Sequence, residues 1–260
     1  MTVPILNFIE FGQKESTPII ILHGFLGSCK NWMTIGKALS ENYRVITVDL
    51  RNHGDSFHHL EHSYEVMVED IVNLLDHLEL DKVLLMGHSM GGKVAMKFAC
   101  NHPERLWQLI VVDIAPKQYF PDRRDIKLML DIDLSKLENK QSAEDQLAKE
   151  IKDLGLRKFL LTNLSQNKDG QFYWRANLKV FLSEIPSLGN NPILETEKFI
   201  GNSLFIIGGK SNFVKEPDYP VIYKHFPNAE IEVIESSDHN PHFSTRDKFL
   251  ELLAKHLIQN

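Results

Sequence analysis

Gly87, Ser89 and Gly91 stand as Gly-x-Ser-x-Gly in the segment LLMGHSMGGKVAMKF, with an apolar run before them and a helix-forming run after them. Between a strand and a helix, this spacing forms a turn so tight that the central hydroxyl is lifted clear of the backbone, above the carboxyl edge of a sheet. The glycines leave room for the bend. A serine held this way is a nucleophile for acyl transfer once a base accepts its proton, and histidine is the usual base because it titrates near neutrality. The chain has 12 histidines. Three of them, His58, His59 and His62, cluster with Glu61 in FHHLEHSYE, which lacks the helix-spaced His-Glu-x-x-His pattern of a metal site. That run is expected to be a solvated, N-capping segment, and no metal is expected.

The elements that must position these groups are legible from periodicity. PIIIL, NWMTIGKALSEN, YRVITVDL, SYEVMVEDIVNLLDHLEL and KVLLMG alternate strand, helix, strand, helix, strand, the signature of βαβ units around a parallel sheet. KVAMKFACN reads as a helix and LWQLIVVDI as the next buried strand. Between about Pro116 and Gly201 the character changes: RRDIKLMLDIDL, SAEDQLAKEIKDLGLRKFLLTNL and FYWRANLKVFL read as helices, with a short hairpin near Lys168, Asp169 and Gly170. Afterwards NSLFIIGG, PVIYKHF, AEIEVIES and FSTRDKFLELLAKHLIQ resume the alternation. The expected organisation is a core of residues 1–115 and 201–260 interrupted by a helical cap, 116–200.

Bulk properties fit this picture. At 260 residues, 43% hydrophobic and 25% charged, the chain suits one α/β domain with an insertion. A formal charge of −6 argues against nucleic acid or an anionic membrane as partner. Cys29 and Cys100 make no disulfide framework, MTVPILNFIEFG lacks the features of a signal peptide, and no apolar run has the length of a membrane span. A cytoplasmic protein is the expectation.

LHGFLGS, DLRNHGDS, GHSMGGK, VVDIAP and the late SSDH occur in an order that resembles the α/β-hydrolase superfamily over nearly the whole length. GHSMGGK with VVDIAP and FYWRAN is most similar to the YbfF-type bacterial esterases. The resemblance implies a mostly parallel sheet flanked by helices and a serine esterase or thioesterase with no cofactor, acting on small-molecule esters or acyl thioesters. Mapped residue by residue, it implies backbone N–H donors for an oxyanion at Met90, after the nucleophile, and at Phe25 in ILHGFLGS, with Leu26 as the alternative. Superfamily order puts the base after the last strand, at His239 rather than His242. His88, beside the serine, is expected to point away and pack.

The acid is less direct. Many α/β-hydrolases carry it after the penultimate strand as Gly-x-x-Asp, but FIIGGKSNFV places Ser211 there, which supplies no charge. Glu216 and Asp218 lie farther along the loop, and Asp238 should diverge from His239. Asp113, in LIVVDIAP, stands at the carboxyl end of the strand after the nucleophile's. Neighbouring strands are about 4.8 Å apart, so it can reach an imidazole over Ser89. The YbfF-type esterases carry an acid after this strand; the alternative is a carboxylate that caps the strand before Pro116. Ser211 is then expected to support the triad through a hydrogen bond to the histidine or the acid. Asp49 and Arg51 are expected to tie loop backbone.

For the cap, Leu160, Leu161, Phe172, Tyr173, Trp174 and Phe181 line an acyl pocket or form the cap's own core, and the core reading is preferred. Arg123, Arg124 and Lys127 suit either a phosphate-bearing acyl carrier or a solvated helix face. A carbon–carbon bond hydrolase or lyase on the same scaffold and a non-catalytic ligand-binding homologue are the competing functions.

Overall fold

A computed structural model describes residues 4–122 and 124–258. Among the described residues nine strands form: β1 (Phe8–Phe11), β2 (Pro18–Leu22), β3 (Arg44–Val48), β4 (Val83–His88), β5 (Leu106–Val112), β6 (Leu164–Gln166), β7 (Phe172–Trp174), β8 (Asn202–Gly208) and β9 (Ala229–Ile234). Seven form one sheet in the order β1-β3-β2-β4-β5-β8-β9, in which only β1 is antiparallel to its neighbour. β2, β3 and β4 are buried along their whole length, as continuous β-branched and leucine runs require when helices cover both faces.

The helices are α1 (Met33–Leu39), α2 (Tyr64–His77), α3 (Met90–Asn101), α4 (Arg124–Leu130), α5 (Lys140–Leu147), α6 (Leu154–Leu161), α7 (Leu178–Gly189), α8 (Tyr219–His225), α9 (Pro241–Ser244) and α10 (Arg246–His256). Alternate strand residues feed two cores. Ile20, Leu22, Leu85 and Val111 pack under α2, α3 and α8, whereas Ile19, Ile21, Met86 and Ile110 face α1 and α10. The strand period of two therefore sorts one run, PIIIL, onto both faces. Among the described residues no helix is long and apolar enough to cross a membrane.

Between β5 and β8 lie α4 to α7 and the β6–β7 hairpin, which share a third core around Met129, Leu147, Leu160 and Phe181. The hairpin turns at Gly170, whose φ of 78° suits glycine. Three expectations are corrected. FYW of FYWRAN is strand β7, because its aromatics pair with Leu164–Gln166, and the helix begins only at Leu178. SAEDQLAKEIKDLGLRKFLLTNL is two helices: Asp153 caps the second by accepting the Leu156 N–H (3.0 Å), a bond available only if the chain leaves the helix before it. The terminal helix breaks at Thr245, with φ of −137°, into α9 and α10; Gln259 at its expected end lies outside the described residues.

Candidate active site

Ser89 joins β4 to α3 with φ of 52° and ψ of −116°, a conformation that costs a non-glycine residue roughly 1–3 kcal/mol and persists only where its surroundings impose it. They do so through the main chain: the Ser89 N–H donates to the Val112 carbonyl on β5 (3.1 Å), and the Ser89 carbonyl accepts the Lys93 N–H (3.1 Å). The flanking glycines are obligatory, since a Cβ at Gly87 would strike the Gly91 carbonyl and one at Gly91 would lie 2.6 Å from the carbonyl oxygens of Leu22 and His23. The hydroxyl is left facing His239, with Oγ 3.1 Å from Nε2.

His239 lies in the loop after β9. Its carbonyl accepts a hydrogen bond from His88 Nε2 (2.8 Å), so His88 fixes the backbone that carries the imidazole. Burial holds His88 well below the usual histidine range and His242 down to about 3. Both are neutral packing groups, and His242 stacks on Trp32 with ring centroids 4.0 Å apart.

Asp113 follows the last residue of β5 with φ of 50°, its side chain wholly buried. Its Oδ1 accepts the Gly208 N–H (2.9 Å), while Oδ2 accepts His239 Nδ1–H (2.7 Å) and the Ser211 hydroxyl. Ser211 thus contacts Asp113 and not His239, and its Oγ in turn accepts the Phe213 N–H (3.1 Å). Ser89, His239 and Asp113 therefore meet in one chain of contacts. The other carboxylates lie elsewhere: Asp218 pairs with Lys117 (2.6 Å), and Asp238 accepts the Asn240 N–H (2.8 Å).

Phe25 and Met90 line the same cavity as Ser89 and His239. Met90 opens α3, where no preceding turn offers its N–H a carbonyl. The Leu26 N–H, the alternative donor, is committed to His53 Nε2 (3.3 Å), which favours Phe25. Two histidines build this loop. His23 Nε2 accepts the Leu50 N–H (3.0 Å) while Nδ1–H donates to the Gly24 carbonyl (2.7 Å); His53 Nδ1–H donates to the Arg51 carbonyl (3.0 Å). Burial lowers both, and only the neutral ring can accept through Nε2. Asp49 ties the same region by accepting N–H groups of Cys29 (2.7 Å) and Asp55 (2.8 Å), and Arg51 makes a two-pronged pair with buried Asp70.

The cavity has a volume of about 890 Å³ and mainly apolar walls. Leu156 and Phe159 of α6, Ile185 and Leu188 of α7, and Tyr119 contribute from within residues 116–200, with Phe213 from the loop after β8. None of the six residues weighed for an acyl pocket lines it: Leu160, Leu161, Phe172, Trp174 and Phe181 belong to the third core, and Tyr173 is exposed. Arg124 pairs with Glu150 at the surface and Lys127 is exposed; Arg123 lies outside the described residues. Buried Lys93 grips the end of α7 through the carbonyls of Asn190 (2.7 Å) and Gly189 (3.1 Å), although desolvation pushes it down to about 7. In FHHLEHSYE, Ser63 does cap α2, but His62 is buried against Phe181 rather than solvated. No group of three or more metal-ligating side chains forms among the described residues.

Sequence reasoning missed Phe213, whose ring lies flat on the His239 imidazole with centroids 3.7 Å apart and planes 12° from parallel. It also missed His53, although the histidine in DLRNHGDS was visible.

A serine on a strand-to-helix elbow at the centre of this sheet is the hallmark of one class, and the chain belongs to it: the α/β-hydrolase fold family, whose model matches residues 17–245. The chain is 37% identical over 254 residues to the sn-1-specific diacylglycerol lipase ABHD11 of zebrafish, covering 94% of this chain and 78% of that one. It is 31% identical over 250 residues to Esterase YbfF of Escherichia coli, covering 94% of each. A solved marine microorganism esterase is 32% identical and superimposes with a TM-score of 0.94 over 98% of this chain and 100% of its own.

Proposed function

We propose that this protein is a serine hydrolase that cleaves carboxylic esters or thioesters of small to medium acyl groups through an acyl-enzyme. The observation that carries the reading is the continuous path from Ser89 Oγ to His239 Nε2 (3.1 Å) and from His239 Nδ1 to Asp113 Oδ2 (2.7 Å). The esterase and lipase names of the relatives support the substrate class.

In this mechanism Ser89 Oγ attacks the acyl carbon while His239 Nε2 takes its proton, and Asp113 holds the tautomer in which Nε2 is free to do so. The carbonyl oxygen becomes an oxyanion that accepts hydrogen bonds from the Phe25 and Met90 N–H groups. Loss of one such donor typically costs about 2.7–4 kcal/mol in hydrolases. Collapse breaks the bond to the alcohol or thiol, which leaves with the proton from His239. Water, deprotonated by the same histidine, then releases the acid and restores Ser89. Residues 116–200 act as a cap whose α6 and α7 form the acyl wall.

Stoichiometric labelling by a fluorophosphonate, lost in Ser89→Ala, tests the nucleophile. Failure of folded protein to label would replace this reading with ligand binding. A panel of p-nitrophenyl esters and acyl thioesters of rising chain length tests the substrate class. Labelling without turnover of any of them would turn attention to carbon–carbon substrates.

A further inference from the structure

Phe213 is an aromatic residue that lines the cavity and is 37% exposed, yet both of its backbone polar groups are committed. Its N–H donates to Ser211 Oγ (3.1 Å), and its carbonyl accepts the Tyr119 hydroxyl (2.9 Å). Tyr119 is itself held, since its oxygen accepts the Ala115 N–H (3.0 Å) and its ring stacks with that of Phe213, centroids 5.8 Å apart and planes 30° from parallel. A surface aromatic restrained this thoroughly presents one face in a set position, and that face covers His239 (3.7 Å, 12°).

We propose that Phe213 is a positioning residue that stabilises the imidazolium form of His239 in acyl transfer and shields that face of the ring from water. The proposal rests on the reading of Ser89 and His239 given above. The face of a benzene ring carries negative charge, so it attracts a planar cation lying parallel to it more strongly than the same ring uncharged. During acylation the Ser89 proton moves to Nε2 and His239 gains a full charge, which it loses again to the leaving group. Phe213 therefore favours the charged transition state over the neutral resting state, the only kind of interaction that speeds the chemical step.

The charges around His239 leave this contact readable. Asp113 at the end of β5 is the carboxylate in contact with it. His88, from the end of β4 with its ring 4.8 Å away, and His242 in α9 are both held neutral by burial. Asp238, next in sequence, is turned to Asn240 and Ser244, and Ser211 on the loop of Phe213 is uncharged. Lys93 faces the Tyr119 ring (4.8 Å) rather than His239, and a Lys93→Met background separates its titration from that of the imidazole.

The test is kcat and kcat/KM against pH for the wild type, Phe213→Leu and Phe213→Tyr, using a soluble p-nitrophenyl ester and folded protein verified by circular dichroism. In Phe213→Leu the acid limb of kcat/KM should move down by about half a pH unit. Its kcat should fall roughly three- to tenfold with KM held within about twofold. Phe213→Tyr, which keeps the ring face, should restore both. An acid limb that stays in place while KM alone rises would make Phe213 a pocket wall and overturn the proposal. Should Phe213→Leu fail to fold, site-specific fluorinated phenylalanines at position 213 keep the shape while draining the ring face of charge. A graded downward movement of the limb supports the proposal and none overturns it. Ser89→Ala separates the two readings. If turnover survives in it, the serine mechanism itself falls; if turnover is lost and the limb ignores position 213, only the role of Phe213 falls.

Discussion

Replacing Asp113 with asparagine should be the most informative single change at this site. The carboxylate accepts three donors, the Gly208 N–H and the Ser211 hydroxyl on either side of the His239 Nδ1–H. An amide has one oxygen and one NH2, so it cannot satisfy them all. With its oxygen toward His239, its NH2 opposes the Gly208 N–H; reversed, its NH2 faces Nδ1 and drives the proton to Nε2, where it blocks transfer from Ser89. A change of this kind in another serine hydrolase lowers kcat about 10⁴-fold, equivalent to roughly 5.5 kcal/mol, and Asp113→Asn should approach that. Ser211→Ala removes one neutral donor from a carboxylate that keeps two others. At about 1.5 kcal/mol, the lower end for a hydrogen bond to a charged group, the cost is roughly tenfold in kcat. Steady-state kinetics on one activated ester, with thermal melts as a folding control, compares the two. A loss in Asp113→Asn smaller than in Ser211→Ala would refute the assignment of the acid.

Two further outcomes concern stability. His62 and His242 are pushed down to about 3 by burial, so between roughly pH 6.5 and 3 the unfolded chain binds protons that the folded one does not. Stability should therefore decline as the pH falls through that window, by up to about 1.4 kcal/mol per pH unit for each ring. His62→Leu should flatten the decline measured by urea midpoints, and an unchanged slope would contradict the buried neutral ring. Asp70→Ala leaves the Arg51 guanidinium buried without its carboxylate (2.8 Å) and should cost about 3–5 kcal/mol. Adding Arg51→Met should recover much of that loss in the same denaturation assay.

The alternation of strands and helices was readable because each central strand is an unbroken apolar run and each helix shows its own period. Strand β1 escaped notice because FIEF is short and only half-buried, and it enters the sheet antiparallel at an edge. The break before α6 was hidden because the periodicity of SAEDQLAKEIKDLGLRKFLLTNL runs through it, and only the capping bond of Asp153 marks the new start. Ser89 was singled out by spacing, His239 by chain order and Asp113 by an uncharged residue where an acid was sought, and the structure brings these three side chains together. The bonds of His53 and His88 and the stack of Phe213 had no such trace. Each joins segments distant in sequence, His88 to His239 and Phe213 to His239, and local pattern carries no record of which loops fold together.

The meeting of Asp113 and Ser211 bears on how such sites can change over time. These two residues, 98 positions apart, direct their oxygens at one point behind the imidazole. The carboxyl group thus has a fixed address in space but two possible owners in the chain, one on each of two adjacent strands. A lineage could hand the charge from one owner to the other through an intermediate in which both positions carry it, without relocating the histidine or the nucleophile. Seen this way, the uncharged serine in FIIGGKSNFV stands where a carboxylate could reach the point that Asp113 reaches from the neighbouring strand.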